Sequence, residues 1–164
     1  GDPLLYGSYL YLYRGIRERF PMIRVVTVPG IPGMCAAAAR SNFHLTAEGD
    51  RLLLITGQVG PGQFSEYCRS YETLVIYKPT AGLKELIGCF QRDCPAGTGV
   101  IVERCGMPAE KITFLSRDFQ PEQVDYFTIV ILHPNRDKSL VEFTEKLGTH
   151  PGKKSKDEFG NKES

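Results

Sequence analysis

Between residues 8 and 20, Tyr9, Leu12, Tyr13, Ile16 and Phe20 recur at helical spacing, with Arg14, Arg17 and Glu18 off that stripe. The pattern predicts an amphipathic helix that ends before Pro21, because the residue preceding a proline is pushed out of the α region. Ile23-Arg24-Val25-Val26-Thr27-Val28 is a compact β-branched run and predicts a strand that breaks at Pro29-Gly30. Met34 to Arg40, rich in alanine and free of breakers, predicts a short, closely packed helix. Residues 51 to 56 predict a second strand, followed by the loop Gly57 to Gly62. Thr73 to Tyr77 then reads as an apolar strand, Leu83 to Phe90 as a helix, Val100 to Glu103 as a strand and Tyr126 to Leu132 as the longest strand. A last helix is expected over Ser139 to Leu147, opened by the capping-box spacing of Ser139 and Glu142 and closed at Gly148. Strands alternating with helices predict a layered α/β domain, and nearly continuous apolar strands predict a sheet covered on both faces.

Composition adds limits rather than a function. The 164 residues suffice for one sizeable domain and fall short of two complete ones. With 20 basic and 19 acidic residues the chain carries neither a basic footprint for nucleic acid nor an acidic tail. No apolar stretch approaches the roughly 20 residues that span a bilayer, and no secretory signal pattern is present, so a cytoplasmic domain is expected. From His150 onward the chain is Gly, Pro, Ser and charges with Phe159 alone apolar, a composition that predicts a disordered polar tail. The first residue is Gly rather than Met and stands inside a motif, which predicts that the sequence begins partway into a longer protein. Cys35, Cys68, Cys89, Cys94 and Cys105 form no CxxC pair, and an odd, scattered set predicts reduced thiols rather than a disulfide framework or a zinc site.

Two segments combine backbone freedom with flanking elements. Gly1-Asp2-Pro3, leading into Tyr6-Gly7-Ser8, makes a rigid turn with a carboxylate at a helix entrance; it reads equally as a ligand-holding turn or an ordinary connection. Val28-Pro29-Gly30-Ile31-Pro32-Gly33 ends a strand and starts a helix with small side chains, offering free N–H groups or simply close packing. Gly57 to Gly62 lacks the order of a nucleotide loop, and no helix is predicted after it. His44, His133 and His150 stand near no nucleophile elbow, so hydrolysis has no positive support. Glu103-Arg104 at a strand end reads as a surface pair in preference to a site pair.

The order of these segments carries more than any one alone. Gly1-Asp2-Pro3-Leu4-Leu5-Tyr6-Gly7-Ser8, Val28-Pro29-Gly30-Ile31 before the alanine run, Glu72 to Lys78, Val100 to Pro108 and the strand Tyr126 to Leu132 together resemble the tetrapyrrole (precorrin) methyltransferase family over about residues 1 to 133. Tyr6-Gly7-Ser8-Tyr9-Leu10-Tyr11-Leu12, Leu45 to Asp50 and Lys78 are most similar to its precorrin-2 or cobalt-factor-II C(20)-methyltransferases. The resemblance implies two α/β domains: the end of a tetrapyrrole-methylase-like first domain over 1–46, then a mixed-sheet α/β domain over 47–148, with the tail at 149–164. It implies S-adenosyl-L-methionine as methyl donor, a tetrapyrrole substrate and a homodimer, with no nucleic acid and no membrane. Donor contacts would fall on Gly1, Asp2, Pro3, Pro32, Gly33, Lys78 and Cys105, the last two mainly through backbone atoms, with Tyr6 and Gly7 bordering the substrate.

Two departures matter. The family has a Ser, Thr or Ala pair where this chain has Pro32-Gly33, so a hydroxyl contact is lost while the Gly33 N–H remains. The family's first strand and Gly-rich loop, expected before Gly1, do not stand in this sequence. Methylation at another ring position, for instance on uroporphyrinogen III, and a non-catalytic interaction module remain the alternatives. No residue is singled out as a catalytic base or metal ligand.

Overall fold

A computed structural model describes residues 1–79, 82–121 and 124–135. The helix expected at 139–147 and the tail beyond it lie outside the described residues. In chain order the elements are α1 (Tyr9–Arg19), α2 (Gly33–Ser41), β1 (Leu52–Ile55), α3 (Pro61–Ser70), β2 (Thr73–Tyr77), α4 (Leu83–Asp93), β3 (Thr98–Glu103), β4 (Lys111–Phe114) and β5 (Thr128–His133). The five strands form one mixed sheet in the order β1-β2-β5-β3-β4. β1 and β2 are parallel, whereas β5 runs antiparallel to both its neighbours, so β1, β2 and β3 all end on the same side.

Side-chain alternation along the strands divides the core in two. Leu74, Ile76, Ile101, Val130 and Leu132 face α3 and α4, where they meet Phe64, Ile87 and Phe90. Val75, Val100, Val102, Ile129 and Ile131 face the other way and pack with Ala37 of α2 and with Phe43. Each fully buried aliphatic side chain contributes about 1.5–3 kcal/mol relative to exposure. Both faces are covered, which is why the strands read as unbroken apolar runs.

Three elements depart from the sequence expectation. Ile23 to Val28 belongs to no strand: Val26 and Val28 remain 69% and 74% exposed. Extended β-branched backbone becomes a strand only beside another strand, and this segment pairs with no described strand; Tyr9 Oη and Thr27 Oγ1, 2.7 Å apart, tie it to α1 instead. After Gly57 a helix does follow: Pro61 occupies the first position of α3, where a missing N–H costs nothing, and Phe64 and Cys68 bury one face. β4 is a short edge strand opened by Lys111, and the sequence pattern shows no sign of it. β5 itself starts at Thr128, leaving Tyr126 and Phe127 outside the sheet and half exposed.

Candidate functional site

The shared end of β1, β2 and β3 gathers the loops that the sequence singled out. Lys78 N–H donates to the Thr128 carbonyl at 2.9 Å and Arg104 N–H to the Phe127 carbonyl at 2.8 Å, so the start of β5 is stitched to the ends of both neighbours. Asp125 fixes the approach to β5. Its carboxylate accepts from Phe127 N–H at 2.7 Å and Arg104 Nη1 at 3.3 Å, and its own N–H donates to Glu103 Oε1 at 3.0 Å. The Phe127 N–H, aided by Arg104, holds the Asp125 carboxyl below the usual range. Glu103 and Arg104 thus form no pair with each other: Lys111 and the Asp125 N–H engage the first, and the Asp125 carboxylate and the Pro108 carbonyl the second.

The amino-terminal turn crosses the segment before α2. Asp2 Oδ1 accepts from Leu4 N–H at 2.9 Å, closing a side-chain turn, while Oδ2 accepts from Gly30 N–H at 3.2 Å. These donors lower the Asp2 pKa, Leu4 foremost and Gly30 next. Glycine is required at position 30, where a Cβ would stand 2.6 Å from the Gly1 carbonyl oxygen; one on Gly33 would stand 2.8 Å from Ile129 Cδ1, the movable end of a side chain. Gly1 lies against Ile31 and Gly33, and Pro32 caps α2. The Met34 N–H donates to Tyr77 Oη at 2.7 Å, so one N–H at the start of α2 is already used. Burial pushes the Tyr77 phenol up.

Tyr77 links this crossing to an aromatic wall. Its ring meets Tyr6 edge-on at 6.1 Å, and the Lys78 ammonium lies 5.1 Å from the Tyr6 ring centre and 4.7 Å from that of Tyr126. Tyr6, Lys78 and Arg104 all hold left-handed backbone, at φ of 50°, 51° and 51°. Strain of about 1–3 kcal/mol per such residue persists where the surroundings enforce it, and such strain clusters at functional sites. A cavity of about 170 Å³ lies beside this wall, lined by Tyr6, Thr56, Gln58, Tyr77, Lys78 and Pro79. A larger groove of about 490 Å³, around Phe90, Cys94 and Leu115, lies at the opposite sheet end, where α4 turns into β3.

The residues named from the sequence therefore fall into three groups. Gly1, Asp2, Pro32 and Gly33 meet at the crossing, with Pro3 continuing the same turn, and Tyr6 and Lys78 meet at the aromatic wall. Gly7 lies in the exposed lead-in to α1, where a Cβ would make only ordinary contact with the Pro3 carbonyl at 3.5 Å. Cys105 follows Arg104 and packs on the α2 side of the sheet with Ala38, and burial raises its thiol pKa. Gly30 stood in the candidate segment without being named as a contact, and Tyr77 and Tyr126 were not named as site residues from the sequence; a tyrosine ending an otherwise aliphatic strand was the available signal for Tyr77.

The crossing of small residues and the aromatic wall thus lie at the carboxyl ends of β1, β2 and β3, the end at which open α/β sheets generally take their ligands. The chain belongs to the tetrapyrrole (corrin/porphyrin) methylases, whose family model matches residues 1–118. It is 28% identical over 138 residues to a precorrin-2 C(20)-methyltransferase of Sinorhizobium sp, a match covering 84% of this chain and 55% of that protein. It is 29% identical over 134 residues to a probable cobalt-precorrin-2 C(20)-methyltransferase of Methanocaldococcus jannaschii, covering 80% of this chain and 55% of that one. The chain spans about half the length of these relatives. The fold also matches a Thermus thermophilus uroporphyrin-III C-methyltransferase complexed with S-adenosylhomocysteine, with a TM-score of 0.60 and 20% identity over 87% of this chain and 64% of that one. Among the described residues, no helix is long and apolar enough to cross a membrane.

Proposed function

We propose that the chain serves S-adenosylmethionine-dependent methylation of precorrin-2 or cobalt-factor II at the C(20) meso carbon, a step in forming cobalamin. The observation that carries this reading is the crossing of Gly1-Asp2 with Gly30 to Gly33 beneath Tyr6 and Lys78, in a chain of this family. The names of the Sinorhizobium and Methanocaldococcus relatives favour C(20) over other ring positions.

The residues present fit the donor. Gly30 lets the Gly1-Asp2 backbone pass close against it, and the crossing so formed offers backbone groups and small side chains to a nucleoside-bearing ligand. Gly1, Asp2, Pro3, Pro32 and Gly33 would hold it, with backbone atoms of Lys78 and Cys105. Once bound, the donor supplies a methyl on a sulfonium that needs no further activation. The chain's own residues bind and orient. The crossing fixes the donor, Tyr6 and Gly7 border the macrocycle, and the wall of Tyr6, Tyr77 and Tyr126 shields the reacting faces from water. Asp2 is a scaffold carboxylate: two N–H donors lower its pKa, which makes it a weak base.

Residues 1–46 would end the first domain, and the second would start at 47. The working form in this reading is a cytoplasmic homodimer, which sedimentation addresses directly. The deciding experiment is incubation with the donor and either precorrin-2 or uroporphyrinogen III, followed by mass spectrometry. A methylated product from precorrin-2 is expected. Methylation of uroporphyrinogen III alone refutes the C(20) assignment, and folded protein that binds no S-adenosylhomocysteine refutes the enzyme reading in favour of an interaction module.

A further inference from the structure

The five ion pairs formed among the described residues engage Arg40, Arg51, Arg92, Arg104 and Lys111, and leave the Lys78 ammonium without a carboxylate. Its neighbours are instead the faces of two tyrosines, at 5.1 Å for Tyr6 and 4.7 Å for Tyr126. Both rings are about half exposed, at 44% and 54%, so the ammonium sits at an open aromatic surface rather than in a closed cage. The backbone is committed to this arrangement. Lys78 holds a φ of 51°, with its N–H bonded to the Thr128 carbonyl, and Tyr6 holds a φ of 50° beside it. A lysine that only solvated a surface would not need two strained residues to face each other. Asp2, the carboxylate of the crossing, is taken up by Leu4 and Gly30.

We propose that the Lys78 side chain is a positioning residue for the macrocycle: its ammonium takes an acid side chain at the rim of a flat ring that lies against Tyr6 and Tyr126. The inference rests on the tetrapyrrole reading above and separates two roles within one residue, backbone toward the methyl donor and side chain toward the acceptor. The chemistry of the surface selects the ligand. Aromatic faces suit a flat apolar ring, and a single cation beside them suits one carboxylate at its edge. The donor also carries a carboxylate, and the test separates the two sources.

The probes are S-adenosylhomocysteine, titrated by calorimetry, and uroporphyrin, titrated by its absorption band, against the full chain and its Lys78→Met and Lys78→Arg variants. Loss of a charge-assisted bond predicts uroporphyrin binding weakened roughly ten- to a hundredfold in Lys78→Met. Recovery is expected in Lys78→Arg, together with a shallower salt dependence in Lys78→Met and unchanged S-adenosylhomocysteine affinity in both. Equal uroporphyrin binding by Lys78→Met and the unsubstituted chain overturns the assignment. So does a parallel loss of S-adenosylhomocysteine, which would place the ammonium on the donor's carboxylate. If the folded, unsubstituted chain binds neither probe, the methyltransferase reading itself fails, and this inference fails with it.

Discussion

Replacing Gly30 with alanine tests the crossing directly. The added methyl would stand 2.6 Å from the Gly1 carbonyl oxygen, 3.0 Å from its carbon and 3.3 Å from the Asp2 nitrogen, all of them backbone atoms that cannot rotate away. Ordinary contact begins near 3.4 Å, so the Gly1-Asp2 backbone must retreat by about 0.8 Å. The Asp2 Oδ2 to Gly30 N–H bond, already 3.2 Å long, does not survive that retreat. None of the first seven residues is buried, so the displacement disturbs little core, and the unfolding midpoint should barely move. Ligand geometry is another matter, because a misplacement near 1 Å costs about a hundredfold in well-oriented reactions. Gly30→Ala is therefore expected to bind S-adenosylhomocysteine at least about tenfold more weakly by calorimetry, with a near-normal thermal melt. Gly62→Ala, whose Cβ would meet nothing within 4 Å, is the control and should bind normally. A folded Gly30→Ala protein with unsubstituted affinity would show that the crossing does not hold the donor.

Other expectations follow from single contacts. Tyr77→Phe leaves the half-buried Met34 N–H without its acceptor and should lower stability in urea by about 1–3 kcal/mol; an unchanged midpoint would mean that another group takes the N–H. Gly88→Ala, on the exposed face of α4 with nothing within 4 Å of the new methyl, should raise stability by about 0.5–1 kcal/mol in the same assay. Arg51 holds the Glu72 carboxyl down to about 2 from 4.5. A depressed carboxylate contributes stability that is complete above its unfolded value and is lost as pH falls toward its folded one. Acid unfolding followed by circular dichroism should therefore show Glu72→Gln with a flatter stability profile between about pH 4.5 and 2.

What the sequence revealed depended on whether a residue's partners were near in sequence. The helix at 9–19 and the strands Thr73–Tyr77 and Thr98–Glu103 carry their own periodicity, so they could be read directly. Ile23 to Val28 carries an equally strong strand signal, yet pairing depends on a neighbour that its own residues cannot specify. α3 was hidden because Gly60-Pro61-Gly62 reads as a loop until Pro61 is recognised as the first residue of a helix. Motif order singled out Gly1, Asp2, Pro32 and Gly33, which the fold brings together at the crossing. The left-handed turn that presents Lys78, and the placing of Tyr6 and Tyr126 around its ammonium, are products of the sheet topology.

The placement of carboxylates bears most directly on how such a site would work. Among the described residues four lie near the strand ends, and each is engaged within the chain: Asp2 by Leu4 and Gly30, Glu103 by Asp125 and Lys111, Glu110 by Arg40 and Gly106, Asp125 by Phe127 and Arg104. For Asp2 and Asp125 these contacts depress the pKa, which strengthens the scaffold while weakening the group as a base. Burial raises the Tyr77 phenol, which keeps it protonated near neutrality and hydrogen-bonded to the start of α2. These carboxylates and the Tyr77 phenol are thus spent on holding loops in place, and Tyr6, Lys78 and Arg104 there carry left-handed strain. A site built this way lowers a barrier by fixing two reactants against each other, which suits an acceptor and a donor that are already reactive and need only alignment.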